Sequence, residues 1–202
     1  MTEFYILKEL ILKDLKLSIR RGFEVLASLS FVLISALLIS QANLYAEVLV
    51  PALWIVVVFI AVFTTTTSFI REFDSKTLQG LLLSPISPQI VFFSKVLFSY
   101  ILIVLLGLIE ILFLYIFSGC DHVFEVIPIF LIFSFYISIV SAFSSALVMY
   151  SEGRGFLIPV IVFVFTIPVI PTVFEQRIFF LLIETAAIAL AIFSISSYVI
   201  EI

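Results

Sequence analysis

Long apolar runs alternate with short polar interruptions along this chain, and the spacing of the interruptions sets the number of elements. Residues 4–20 place Phe4, Leu7, Ile11 and Leu15 near one face at helical spacing, with Glu9, Lys13, Lys16 and Arg20 on another. That segment is too charged to cross a bilayer and predicts an amphipathic helix lying at the membrane surface. Six apolar segments follow, at about 23–43, 48–70, 90–117, 125–150, 156–171 and 178–199. A helix needs about 20 apolar residues to cross the hydrocarbon core. The apolar-polar alternation of a membrane β-barrel is missing from all six. The pattern predicts an all-α polytopic membrane protein with six transmembrane helices, arranged as one domain over residues 1–202.

Composition sharpens this reading. The chain is 64% hydrophobic and 12% charged, whereas a soluble domain carries about a quarter charged residues. Such a chain could not cover its own surface in water. The first 21 residues do not read as a signal peptide, because charges interrupt them throughout. Cys120 is the sole cysteine, so no internal disulfide can form. The charges also orient the spans. With a cytoplasmic N-terminus, Lys8, Lys13, Lys16, Arg20, Arg21, Arg71, Lys76, Lys95 and Arg154 all fall inside, and Arg177 falls outside. Glu47, Asp121, Glu125 and Glu175 occupy the external loops. This asymmetry follows the positive-inside rule and places both termini in the cytoplasm.

The polar stretch REFDSKTLQGLLLSPISP, residues 71–88, then faces the cytoplasm. Asp74 or Ser75 can cap a helix there. Leu78, Leu81 and Leu82 share one side at i, i+3 and i+4. Pro85 and Pro88 stop the helix and turn the chain back towards the membrane. Two uses of such a helix stay open: packing its leucines into headgroups, or docking a cytoplasmic partner.

The residues Arg71-Glu72, Thr77-Leu78, Leu81-Leu82-Leu83-Ser84-Pro85 and Ser87 resemble the loop between the second and third helices of type-2 ABC exporter permeases. Pro51-Ala52-Leu53-Trp54, Lys95 and the run Phe165-Thr166-Ile167-Pro168-Val169-Ile170-Pro171 are similar to the haem exporter protein B family, the permease subunit of cytochrome c maturation. The segment at about 171–178 is short for that branch. The resemblance implies an elbow helix at 1–22 and a coupling-helix loop at 71–88, with Arg71, Glu72, Thr77, Leu78, Leu81, Leu82 and Pro85 docking an ABC ATPase subunit. It implies a non-catalytic chain in the cell membrane that binds no cofactor itself, with ATP held by the partner and haem handled by the complex. A second permease-like or haem-handling membrane subunit, or a second copy of the chain, is implied as well.

The remaining candidates are weighed from the residues. Glu110 and Glu184 lie within apolar runs near the outer ends of their helices. An ionised carboxylate there needs a partner, a cavity or the interface, and reaching the headgroups is the expected arrangement. Arg177 can pair with an external carboxylate. His122, beside Cys120 and Asp121, reads as a loop residue, too small a set for zinc and not a haem ligand. Pro159, Pro168 and Pro171 predict a kinked or broken fifth span that faces protein rather than lipid. With them, Pro51 and Trp54 are candidates for helix packing or a partner interface. Thr64 to Thr67, Ser138, Ser141, Ala142, Ser144 and Ser145 read as close-packing positions. A phosphate-binding glycine loop and a Ser/His/Asp set are both missing, and without a basic aromatic patch nucleic acid is not a partner. A permease for a lipid, glycan or drug shares this architecture. An ion-coupled carrier or membrane scaffold using Glu110 and Glu184 is the alternative of another class, although no inverted repeat of the kind such carriers often carry is visible.

Overall fold

The computed structural model describes residues 3–41, 46–64, 68–83, 86–119, 121–151 and 154–201. Among these the chain is helical, with no strand. The helices are α1 (Glu3–Arg21), α2 (Phe23–Gln41), α3 (Ala46–Thr64), α4 (Ser68–Asp74), α5 (Thr77–Leu82), α6 (Pro88–Ser118), α7 (Ile127–Val148), α8 (Arg154–Thr166), α9 (Ile170–Phe174) and α10 (Ile178–Glu201). Short 3-10 turns at Asp121–Val126 and Ile167–Val169 precede α7 and α9. Five helical stretches are long and apolar enough to cross a membrane. A sixth is reached if α1 and α2, bent by 75° to one another, count as one broken span. Gly22 makes the bend. Its φ of 41° suits a residue without Cβ, and its N–H is shared between the Ser18 and Ile19 carbonyls at 3.2 Å.

The longest element is α6, whose 31 residues extend about 46 Å at 1.5 Å per residue. That exceeds the roughly 30 Å of a hydrocarbon core, so an upright α6 would extend past it. Pro88 starts the helix where no N–H is needed, and Gly119 ends it in the left-handed conformation, donating its N–H to Tyr115 at 2.8 Å. Helix α7 is the centre of the bundle: 72% of its most apolar window is buried, against 17% for α10. The small residues make that possible. Ser138, Ser141, Ala142, Ser144 and Ser145 are all fully buried. Ser138 and Ser144 turn their hydroxyls back to the Phe135 and Val140 carbonyls at 2.7 Å, so neither exposes a polar group to a neighbour. Ser145 instead accepts the Phe69 N–H at 3.1 Å, which fixes α4 against α7. Thr64 is buried and bonds the Ile60 carbonyl, while residues 65–67 lie outside the described set.

The fifth apolar segment is interrupted, as its prolines require. Α-helical bonding stops at Thr166, a 3-10 turn carries Pro168, and α9 begins immediately before Pro171. The Phe165 carbonyl beside the break accepts the Tyr136 hydroxyl of α7 at 2.6 Å. One side of the segment, Ile158, Val162, Thr166, Val169 and Val173, is buried. Phe156, Val164 and Ile167 on other sides are exposed. The expectation that the broken span faces protein therefore holds for one side only: Pro168 and Pro171 themselves are exposed.

Helices α6 and α7 pack tightly at Gly107, where an added Cβ would overlap the buried ring of Phe130. Gly107→Ala should destabilise the protein by about 1–3 kcal/mol through overpacking, despite alanine's better helix propensity. Thermal unfolding in detergent checks this, and Phe130→Leu in the same chain should restore stability.

Candidate functional site

The polar chemistry concentrates at one end of the bundle, where α1, the α4–α5 hairpin and the first turns of α6 meet. The hairpin is two short helices rather than one. Helix α4 ends at Asp74, Lys76 takes a φ of 56°, and α5 starts at Thr77. Ser75 folds its hydroxyl back to the Arg71 carbonyl at 2.7 Å and meets the Thr77 hydroxyl at 2.9 Å. The expectation that Ser75 caps the second helix is corrected here: its hydroxyl seals the C-terminal end of α4, whose last residue is Asp74.

Lys95 sits in the third turn of α6 with only 2% of its surface exposed. Its ammonium lies 2.7 Å from Asp14 Oδ2 of α1 and 2.8 Å from Glu72 Oε1 of α4. Lys13 joins from the solvent side, 2.5 Å from the same Glu72 oxygen and 3.7 Å from Asp14. Two lysines and two carboxylates thus meet in one cluster. The Phe69 ring completes the surroundings, its centroid 5.9 Å from the Lys95 ammonium. Asp14 and Glu72 are themselves buried. A buried ammonium without counter-charges would cost several kcal/mol, so Lys95 and its two acids must be kept together. On α1 the buried stripe is Leu10, Asp14 and Ser18, spaced by four. Phe4 and Ile19 stand exposed.

A cavity of about 450 Å³ opens beside the cluster, between α1, the hairpin and α6. Asp14, Leu17, Ser68, Glu72, Leu81 and Lys95 are among its walls. Ser68 Oγ and Glu72 Oε2 are buried with no hydrogen-bond partner among the described residues. Thus Arg71, Glu72, Thr77 and Leu81 of the sequence set line one cavity. Leu78 and Leu82 belong to α5, their side chains outside the description, and Pro85 lies outside the described residues. Leu83, just beyond α5, is 89% exposed. Asp14 and Lys13 were absent from the sequence-derived site.

The other candidates lie elsewhere. Trp54 is buried and meets Phe133 edge-on, with ring centroids 4.2 Å apart. Pro51 and Trp54 of α3 and Thr166 and Ile170 of the broken span line one small apolar cleft of about 80 Å³. The second and fifth spans, read separately in the sequence, therefore meet in space. Glu184 accepts the Thr172 hydroxyl at 3.0 Å, and Arg177 pairs with Glu175 at 2.6 Å. Glu110 differs from expectation. It is fully buried, and Ser35 of α2 is the polar side chain that faces it. Its side chain points into the bundle rather than out to headgroups. His122 lies in the 3-10 turn before α7, its side chain outside the description. Among the described residues no His, Cys, Asp or Glu group is placed to hold a metal ion.

Long apolar helices around a small-residue core, with charge gathered at one end, define a multi-pass membrane protein. The chain belongs to the CcmB protein family, that of haem exporter protein B, whose family model matches residues 5–200. No match was found to any curated protein or solved structure. Membership supports a haem-export ABC permease subunit in cytochrome c maturation, a family of generally non-catalytic membrane subunits that works with an ABC ATPase.

Two outcomes check the site. Lys95→Met should cost up to about 3–5 kcal/mol by leaving two buried carboxylates with Lys13 alone, and adding Asp14→Asn, which leaves Lys13 and Glu72 as a pair, should recover most of the loss in thermal unfolding. Glu110→Met should leave unfolding stability unchanged or raise it, by up to about 1–3 kcal/mol of relieved desolvation, measured by thermal unfolding in detergent.

Proposed function

We propose that this chain is the permease subunit through which a separate ATPase drives haem export, or release of a haem-loaded chaperone, during cytochrome c maturation. In this reading all six apolar segments span the cell membrane, both termini are cytoplasmic, and α1 is the elbow helix at the membrane surface. The α4–α5 hairpin is the coupling helix. The carrying observation is the hairpin's construction: α4 is pinned by the buried Glu72–Lys95 pair, while Leu83, the residue after α5, is almost fully exposed. A segment with no role beyond reversing the chain would not need a buried ion pair. An exposed leucine on a firmly held hairpin suits insertion into an apolar cleft of a partner.

The chain itself carries no nucleotide-binding glycine loop in its sequence, so ATP belongs to the partner. No haem contact is assigned to these residues. Haem is the cargo of the complex, which pairs this chain with a second membrane subunit or a second copy of itself.

The test is co-purification. Leu78, Leu81 and Leu82 changed together to Asp should abolish retention of the ATPase while leaving the permease in the membrane. Leu83→Asp alone should weaken retention by about tenfold, the equivalent of about 1.4 kcal/mol. Undiminished ATPase retention by the triple variant would refute hairpin docking. Normal holo-cytochrome c formation in cells lacking the gene would favour a lipid, glycan or drug permease instead.

A further inference from the structure

We propose that Asp14 and Lys95 are positioning residues which, with Glu72, lock α1, α4 and the first turns of α6 into a single mechanical body. This rests on the permease reading and adds to it the route by which a pull on the hairpin leaves the hairpin. Three elements far apart in sequence converge on one ammonium, across 81 residues from Asp14 and 23 from Glu72. Lys95 is 2% exposed, so separating it from either acid strands charge in a poorly solvated place. The ion pairs therefore resist separation more than the chain connections do. Gly22, at positive φ, is the joint beside the body, between α1 and α2, while the Thr77 hydroxyl ties the start of α5 to Ser75 and to the Glu72 carbonyl of α4. Displacement yields at that joint, and the cluster moves intact.

The consequence is directional. Helix α6 is one unbroken rod from Pro88 to Ser118. A displacement of the hairpin reaches Lys95 and passes along α6 to the opposite end of the bundle. Without the cluster, the same displacement is spent in bending the hairpin against α6 and α1. Losing the cluster should therefore separate two properties that loss of the docking leucines removes together: the ATPase stays bound, and its work no longer reaches the far side.

Spin labels test this on the permease–ATPase complex in nanodiscs. Cysteines replace the exposed Gln89 of α6 and Asp74 of α4 in a Cys120→Ser background. The distance distribution between them is measured without nucleotide and with a non-hydrolysable ATP analogue. The wild-type cluster should give one narrow distribution, unchanged by nucleotide. The variant Lys95→Met with Asp14→Asn, which leaves Glu72 in place and paired with Lys13, should still retain the ATPase. Its distribution should broaden, and its yield of holo-cytochrome c should fall about tenfold, as loss of a typical coupling energy would produce. A nucleotide-dependent shift in the wild-type distance, with ATPase bound, would overturn the single-body proposal alone. So would a narrow distribution and full maturation in the double variant. Failure of the unaltered permease to retain an ATPase would overturn the permease reading, and this proposal with it.

Discussion

A buried lysine held between two carboxylates organises the polar end of this protein. Lys95 cannot occupy its position without Asp14 and Glu72, and those acids are held in turn by Lys95 with Lys13. The requirement is mutual, so α1, the hairpin and α6 must be in place together. In a chain so apolar, most helix-to-helix contacts gain little from the hydrophobic effect once lipid surrounds them, and van der Waals fit and polar pairs supply specificity instead. The small-residue seam on α7 provides fit at the centre, and the ion cluster provides polar pairing at one end.

These two devices divide the molecule's mechanical behaviour. Around α7, Ser138 and Ser144 turn their hydroxyls to their own helix and Ser145 accepts from the Phe69 N–H, and packing is close enough that Gly107 admits no side chain. At the hairpin end the contacts are few and strong, with a cavity of about 450 Å³ between them. The broken span behaves differently again. Its prolines expose backbone carbonyls, one of which Tyr136 satisfies, and its outward sides remain uncovered by this chain. A permease subunit needs this combination: a firm centre, a gripped handle, and surfaces left for lipid or other membrane subunits.

Hydropathy made the helices legible, because apolar runs and their charged ends are local properties. The observed α2, α6, α7 and α10 begin or end within a few residues of the segments read from sequence. The site was legible only in part. Glu72 and Lys95 stood out through family resemblance, but Asp14 did not. On an amphipathic helix an acid four residues after Leu10 looks like one more member of the polar face; only α6, packed against it, makes that position interior. Glu110 illustrates the converse. Its height in the membrane can be read from sequence, but the side of α6 that meets other helices cannot, and that side decides whether it reaches headgroups or is sealed in. The meeting of Pro51 and Trp54 with the broken span likewise depends on how α3 and α8 lie together.

The most direct measurement is a structure of the membrane-embedded complex with its ATPase subunit. If the hairpin is the handle, α5 and Leu83 will lie in a cleft of the ATPase, with Lys95 still between Asp14 and Glu72. A hairpin lying flat among lipid headgroups, with no ATPase against it, would contradict the assignment.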